Sequence, residues 1–341
     1  MNPPPIPGSE RPKRFGCLPQ IILLLLVLSV IVNLLLFAVV GKGAASKVMA
    51  GSAAVRLNET VVDNGEGGEG KIALIELSGV ISFGGGDGQQ GMVEELKTFL
   101  RHAAKDDEVK AIILAIDSPG GEVTASDTIY EAVRQAREAK PVVVFMKSVA
   151  ASGGYYAACG ASWLMASETT ITGSIGVIWQ TLKYKELFGK IGLEAMTFKS
   201  GKFKDLLNGS RDVTQEEIDY VQALVMQTYD KFLNVVATER GLDADKLRNT
   251  VADGRILSGK DALSAGLLNS LGYIENAYEK ARELGKAEGA PVVRYEAPFN
   301  FAKAFRLFGQ AKNEQSIKID TGLLPKLRPG ALYLLPDYYA E

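Results

Sequence analysis

The chain has 341 residues, a length that suits one large domain or two smaller ones. Apolar residues at 47% and charged residues at 23% give it the composition of a globular protein. A formal net charge of −2 argues against a nucleic-acid partner, because phosphate binding requires clustered Lys and Arg. One histidine and two cysteines are too few to build a zinc site, so we expect no metal and no other cofactor.

The N-terminal residues predict a cytoplasmic tail and a membrane anchor. Residues 1–16 are Pro-rich and then basic, which is typical of a disordered tail. Residues 17–41 contain an uncharged apolar run, Leu18 to Val40, that as a helix would span about 30 Å of hydrocarbon. Basic residues before the run outweigh those after it, which places the N-terminus in the cytoplasm. We therefore expect a single-pass protein of the cell membrane with an extracytoplasmic body.

The rest of the chain divides into three segments. Residues 42–70 are rich in Gly, Ala, Ser and Asn and predict a flexible linker. Residues 71–287 alternate apolar runs with helical patterns and predict the folded domain. Residues 288–341 carry scattered Pro and aromatic residues, and the sequence assigns this C-terminal extension no role.

The folded domain has the pattern of an α/β protein. Strands are predicted at three apolar runs: Ile72–Leu77, Val109–Ile116 and Pro141–Lys147. A helix is predicted over Val123–Lys140, and continuous apolar strands that alternate with helices favour a parallel sheet buried on both faces. Thr214 and Glu217 form a capping-box pattern, which predicts a long helix that ends near Arg240.

Two Gly-rich segments follow predicted strands and are candidates for a catalytic site. They are residues 117–121 (Asp-Ser-Pro-Gly-Gly) and 150–155 (Ala-Ala-Ser-Gly-Gly-Tyr). Turns that follow parallel strands gather at one edge of a sheet, where ligands bind. Glycines there let backbone N–H groups approach a substrate oxygen, and Ser152 stands where a helix could start. Each turn alone would be an ordinary strand–helix connection, but together they suit acyl transfer with Ser152 as nucleophile beside an oxyanion hole.

A serine nucleophile needs a base. His102 lies in a polar stretch and is better explained as a solvated helix residue than as a member of a Ser-His-Asp triad. Lysine is the natural alternative, since Ser-Lys pairs serve the same purpose. A lysine has an unperturbed pKa of about 10.4, so the base should lie among apolar neighbours that desolvate it. Residues 199–207 offer Lys199, Lys202 and Lys204, and composition does not choose among them.

Four motifs together resemble the signal peptide peptidase A family, in its short, single-domain bacterial form. They are Asp117-Ser-Pro-Gly-Gly, Ala151-Ser-Gly-Gly-Tyr-Tyr, Thr172-Gly-Ser-Ile-Gly-Val and Lys199-Ser-Gly-x-Phe-Lys-Asp. They occur in the order found in the family, and the resemblance extends over about residues 70–285. It implies an α/β fold of the ClpP/crotonase type, built from repeated β-β-α units and preceded by the transmembrane helix. Residues 71–287 would then be a serine peptidase domain.

The resemblance also implies roles for individual residues. Ser152 is the implied nucleophile and Lys204 the implied general base. Ser174 is implied to orient that lysine, while Lys199 and Lys202 would be bystanders, with Lys199 as a support at most. The backbone N–H groups implied as the oxyanion hole are those of Gly153, Gly120 and Gly121.

An assembly and a substrate class follow from the same resemblance. Short members of the family form dome-shaped homo-oligomers such as octamers, in which serine and lysine meet across a subunit boundary. The implied reaction is endopeptidase cleavage through an acyl-enzyme. The implied substrates are signal peptides left in the membrane after preprotein processing, together with other membrane-derived or unfolded peptides.

Two other functions fit parts of the pattern. A crotonase-like acyl-CoA enzyme could share the fold and use the Gly-rich turns for a thioester enolate, without needing Ser152 or Lys204. A non-catalytic membrane scaffold of the same fold would need no nucleophile at all. An extracytoplasmic body suits CoA chemistry poorly, so the peptidase is the preferred hypothesis.

Overall fold

The structure, a computed structural model, describes residues 24–33, 57–84 and 91–296 and the backbone of residues 333–334. The chain divides into two compact units, Met1–Arg56 and Leu57–Glu341. In the first unit, residues 24–33 form a helix, α1, with exposed apolar side chains. Among the described helices, none is long and apolar enough to cross a bilayer. The predicted tail and most of the predicted anchor lie outside the described residues, so both stay predictions.

The second unit is a mixed α/β structure. Its described strands are β1 (Asn58–Asp63), β2 (Lys71–Ser78), β3 (Val109–Ser118), β4 (Gly121–Glu122), β5 (Val142–Ala151), β6 (Trp163–Ala166), β7 (Ile171–Gly173), β8 (Ile256–Ser258), β9 (Ser270–Leu271), β10 (Val292–Glu296) and β11 (Tyr333–Leu334). Its described helices are α2 (Met92–Lys105), α3 (Val123–Ala139), α4 (Gly153–Ala158), α5 (Lys185–Lys190), α6 (Gln215–Arg240), α7 (Ala244–Arg248), α8 (Gly259–Ser264) and α9 (Ile274–Gly285).

The main sheet has the strand order β1-β10-β2-β3-β5-β6-β9, and β7 and β8 continue it beside the end of β5. Within this order, each pair of neighbouring strands from β10 across to β9 is parallel. The β1–β10 and β7–β8 pairs are antiparallel. The parallel sheet predicted from the sequence is therefore confirmed. Because parallel strands point the same way, β3, β5 and β7 all end at one edge.

Both faces of the sheet are buried, which explains the continuous apolar strands. Alternate residues of β3 enter different clusters: Ile112 and Leu114 lie on one face, and Ile113 and Ala115 on the other. The first face packs against α2, α3, α4 and α6, and the second packs against α9. The predicted helix near 123–140 is observed as α3, and the predicted capping box starts α6 at Thr214.

Two strands of the main sheet lie outside the folded domain that the sequence predicted at 71–287. β1 lies within the predicted linker at 42–70, and β10 lies within the C-terminal extension at 288–341. The two strands pair with each other, with Thr60 opposite Arg294, and β10 also pairs with β2. β1 has the sequence Asn-Glu-Thr-Val-Val-Asp, which is short and polar. It forms a strand because it pairs with β10, and no apolar pattern in its sequence predicts it.

Candidate active site

Ser152 occupies a sharp turn between a buried strand and a short buried helix. β5 ends at Ala151 and α4 begins at Gly153. The Ser152 backbone has φ 52° and ψ −115°, a conformation that costs an L-residue about 1–3 kcal/mol. The Ser152 amide donates to the Gly173 carbonyl oxygen at 2.8 Å, and the Ser152 carbonyl oxygen accepts from the Tyr156 amide at 2.8 Å. Backbone strain held in place by such bonds is typical of turns that present a nucleophile.

The side-chain hydroxyl of Ser152 is buried without a partner. Ser152 is 0% exposed, and its Oγ forms no hydrogen bond with the described residues. A buried hydroxyl that lacks a partner costs about 1–3 kcal/mol, so such groups are uncommon outside functional sites. Ser174 follows Gly173 directly, has φ 50° and is 3% exposed. Its hydroxyl also forms no hydrogen bond within the described part of the chain.

The Gly-rich turn after β3 lies directly against the Ser152 turn. A carbon atom added to Gly153 would lie 2.3 Å from Ser126 Oγ, 3.1 Å from the Gly121 nitrogen and 3.2 Å from Gly120 Cα. These distances leave no room for a side chain at position 153. The two glycine turns that the sequence placed at one sheet edge are thus in contact.

The backbone N–H groups of the two glycine turns differ in their hydrogen-bond acceptors. Gly120 N–H donates to Ser118 Oγ at 3.1 Å, so it is engaged within its own turn. The Ile81 amide donates to the Gly120 carbonyl oxygen, and the Ile81 carbonyl oxygen accepts from the Glu122 amide. Because amides alternate in direction along a strand, the Gly121 N–H points to the opposite side of β4. Gly153 is the first residue of α4, where amides have no acceptor within the helix. Of the three predicted donors, Gly153 and Gly121 are therefore better placed than Gly120.

An extended segment lies along β4 beside this site. Tyr333 and Leu334 pair antiparallel with Glu122 and Gly121. On the other side of β4, Ile81 forms a parallel bridge with Gly121. The edge of β4 beside the Ser152 turn is therefore able to bind a peptide backbone.

The three candidate lysines differ in their contacts. Lys199 Nζ forms an ion pair with Asp205 at 2.7 Å, and Lys202 forms one with Glu216. Lys204 is exposed, and its ammonium forms no ion pair or hydrogen bond with the described residues. Within one chain, Lys204 Nζ and Ser152 Oγ therefore form no hydrogen bond.

A charged network beside Lys204 was missed by the sequence analysis. Arg211 Nε donates to Asp205 Oδ2 at 2.7 Å, and its Nη1 donates to Glu217 Oε2 at 2.9 Å. Both carboxylate side chains are more than nine-tenths buried. Arg211 holds the pKa of Asp205 well below its usual value and that of Glu217 at about 2, through charge-assisted hydrogen bonds. The sequence signal, an arginine just before a capping box, is too common to be recognised alone.

His102 lies away from Ser152, near the amino ends of the parallel strands. Ligand atoms of His102, Glu59 and Asp106 all lie within 4.8 Å of one another, a spacing that could suit a cation. The Lys71 ammonium lies between the two carboxylates, 2.7 Å from Glu59 and 3.0 Å from Asp106. The cluster is therefore explained as an ion-pair group that joins β1, β2 and α2.

Cys159 is the other side chain near α4 that could act as a nucleophile. It is buried, and desolvation raises the pKa of its thiol to about 12. A thiol that stays protonated at neutral pH is a poor nucleophile, so Cys159 does not compete with Ser152.

Comparison with known protein families gives two matches to this region. The model for Peptidase family S49 matches residues 134–288, and the model for Clp protease matches residues 77–171. Ser152 and its turn fall within both matches. The Clp protease match supports the ClpP-like part of the predicted fold.

Similar proteins are peptidases in name. A provisionally named protease of Methanocaldococcus jannaschii is 36% identical over 235 residues, which are 67% of this chain and 75% of that protein. A protein of Enterococcus faecium provisionally named signal peptide peptidase SppA is 35% identical over 66% of this chain and 67% of its own length. Among solved structures, a ClpP1 variant of Listeria monocytogenes covers 60% of this chain and 93% of its own, at 16% identity and a TM-score of 0.41. The chain therefore belongs to peptidase family S49 and is a serine peptidase.

Proposed function

We propose that the protein is a membrane-anchored endopeptidase in which Ser152 is the nucleophile and Lys204 the general base. The observation that carries this proposal is the Ser152 hydroxyl, which is buried and unpartnered in a strained strand–helix turn. A hydroxyl that only packed the core would have turned to a nearby backbone acceptor. An unpartnered hydroxyl is able to form its hydrogen bond with a general base.

The contacts of the three lysines support Lys204 as that base. The Lys199 and Lys202 ammonium groups each form an ion pair with a carboxylate, so neither is free to bind a serine hydroxyl. Lys204 has no such partner among the described residues. Desolvation beside Ser152 would leave its amine neutral and able to accept the hydroxyl proton. Ser174, with its own unpartnered hydroxyl, would orient that amine.

A second copy of the chain would supply the lysine. The segment before Lys204 carries apolar side chains that are unusually exposed: Leu182, Leu187, Ile191, Leu193, Met196 and Phe198. Met196 is 82% exposed and Phe198 is 89% exposed, and exposed apolar groups clustered in this way mark interaction surfaces. Docking of this apolar arm, residues 182–198, on a neighbouring copy would bury it and carry Lys204 to the Ser152 of that copy.

The reaction would follow the general course of acyl transfer. Ser152 Oγ attacks the scissile carbonyl while Lys204 Nζ takes the hydroxyl proton. The N–H groups of Gly153 and Gly121 would stabilise the oxyanion, and the lysine would return the proton to the leaving amine. Water, activated by the same lysine, would then release the acyl group from Ser152.

The substrate would be an extended apolar peptide that pairs with β4. The pairing of β11 with β4 supports this mode, because main-chain hydrogen bonds along a strand edge accept many sequences. The predicted anchor at 17–41 would hold the site near the bilayer. Signal peptides left after preprotein processing fit both features, and the name of the Enterococcus faecium relative agrees with them.

Covalent labelling tests this proposal. The full-length protein is treated with a serine-directed acylating probe, and the modified peptide is located by mass spectrometry. We expect the label on Ser152, no label in Lys204→Met, and full labelling in the matched control Lys202→Met. Labelling of another serine, or normal labelling of Lys204→Met, would overturn the assignment.

A further inference from the structure

We propose that Arg211 is a positioning residue that fixes the backbone at Lys204 by joining Asp205 to the start of α6. This inference rests on the proposed function, because it concerns the lysine assigned there as the base. It adds a residue whose side chain never meets the substrate. The network joins the exposed loop at Lys204 to the start of α6.

Arg211 holds the residue after Lys204 by both its side chain and its main chain. The guanidinium donates to Asp205 Oδ2 at 2.7 Å and to Asp205 Oδ1 at 2.9 Å, the bidentate arrangement that fixes orientation as well as distance. It also donates to the Asp205 carbonyl oxygen at 3.0 Å. Lys199 adds a further bond to Asp205 Oδ1. With Asp205 fixed in this way, the Cα of Lys204 has little freedom, although its side chain is unbound.

The other end of the network is fixed to a rigid helix. Arg211 donates to both carboxylate oxygens of Glu217, which also accepts the Thr214 amide at 2.9 Å as part of the capping box of α6. α6 in turn packs on the helix that begins beside Ser152, with the rings of Phe232 and Tyr156 4.9 Å apart. The loop at Lys204 is therefore tied through Arg211 and α6 to the folded body of its own chain.

The charges of the network balance. Lys199 and Arg211 offset Asp205 and Glu217, and the nearby Lys202–Glu216 pair is neutral as well. The network therefore holds the loop without placing a surplus negative charge beside Lys204. Loss of Arg211 would leave one uncompensated carboxylate next to the base.

Substitution of Arg211 in the full-length assembly tests the inference. For Arg211→Gln, we expect the rate of Ser152 acylation and kcat to fall by about 10²-fold, since small misplacements of a reacting group cost that much. We expect KM for an apolar peptide to stay within about threefold, and the acid limb of the pH–rate profile to move to higher pH. Arg211→Lys should recover part of the rate, because an ammonium replaces the charge but not the bidentate geometry.

Asp205→Asn and Arg248→Gln serve as the second variant and the matched control. Asp205→Asn leaves the Arg211–Glu217 contact in place, so it tests the inference even if Arg211→Gln does not fold. It should lose a similar part of the rate, and the double variant should be little worse than either single one. Arg248 pairs with Asp230 at 2.8 Å, away from this network, and its substitution should leave the rate unchanged.

The outcomes separate this inference from the proposed function. Normal acylation of Lys204→Met would refute the proposed base whatever Arg211 does. An inactive Lys204→Met combined with a wild-type rate in Asp205→Asn, or in a folded Arg211→Gln assembly, would refute the role of Arg211 alone. Additive losses in the double variant, or a loss confined to KM, would also refute it.

Discussion

Ser152 and Gly153 act together at the scale of single residues. The positive φ of Ser152 turns the chain sharply out of β5, and Gly153 lets the turn approach the Gly121 amide. A relaxed serine at the same place would satisfy its hydroxyl with a nearby backbone group. The strained turn therefore leaves the hydroxyl without a partner among the described residues, and the close approach brings the Gly121 amide next to the turn.

Gly153→Ala should abolish most of the activity while leaving the fold intact. The added methyl group would lie 3.1 Å from the Gly121 nitrogen and 2.3 Å from Ser126 Oγ, so the two turns must separate. Loss of an oxyanion donor typically costs about 10²–10³ in kcat. Steady-state kinetics on a fluorogenic apolar peptide measures the change.

Arg248→Gln, assayed in parallel, is the control for that substitution. Arg248 pairs with Asp230 outside both glycine turns, so kcat should not change. A Gly153→Ala enzyme with the wild-type kcat would show that the two glycine turns do not form the oxyanion hole.

At the scale of elements, α6 connects the nucleophile region with the lysine loop. Its middle buries Phe232, Leu233 and Val236 in the core, and its first turn holds Glu217. The backbone hydrogen bonds of α6 make it stiff along its axis, so its first turn is held at a fixed distance from its buried middle. If Lys204 is the base, as we propose, the start of α6 supports catalysis as well as ending the helix.

Thr214→Ala should destabilise the protein by about 1 kcal/mol, the usual cost of losing an N-cap side chain. Thr214 Oγ1 accepts the Glu217 amide at 3.3 Å, and the alanine variant leaves that amide unsatisfied. The free energy of unfolding is measured by urea denaturation at one protein concentration, because assembly adds to apparent stability.

Thr228→Ala provides the comparison within the same helix. Its hydroxyl donates to the Leu224 carbonyl oxygen in the helix interior, and alanine has the higher helix propensity. We expect little change in the free energy of unfolding. Equal decreases in the free energy of unfolding in both variants would show that the capping box does not stabilise the protein more than a hydroxyl in the helix interior.

The sequence predicts the elements that depend on local pattern. The apolar runs of β2, β3 and β5 and the capping box of α6 are visible without a structure, because burial on both faces and helix capping leave local signatures. β1 and β10 are not visible, since each depends on a partner distant in sequence. Arg211 was missed for the same reason, because its contacts form only after the loop folds back on α6.

At the scale of the whole molecule, the proposed function divides the active site between copies of the chain. Each copy buries a serine without a base and exposes a lysine without a partner among the described residues. The exposed arm supplies an apolar surface for association. This division predicts that two different inactive variants can restore each other.

Mixing Ser152→Ala with Lys204→Met subunits should therefore recover activity. If subunits exchange freely at equal amounts in a head-to-tail ring, about a quarter of the sites combine an intact serine with an intact lysine. We expect about that fraction of wild-type peptide cleavage after dissociation and reassembly, and almost none from either variant alone.

Two controls accompany the mixing experiment. Variants that are mixed without dissociation should stay inactive, and the reassembled species should match the wild type in size by light scattering. Absence of recovered activity in correctly sized mixed assemblies would place serine and lysine in the same chain.

The groups around Ser152 come from segments that are far apart in sequence. β4 follows β3, β3 pairs with β5, and β7 pairs with the end of β5, so these groups meet only in the finished sheet. A chain still emerging from the ribosome, or one that has lost this sheet, keeps the serine but has nothing to receive the charge of a tetrahedral intermediate. Any hydrolysis by Ser152 therefore depends on a finished sheet, so we expect a nascent or unfolded chain not to cleave the polypeptides around it.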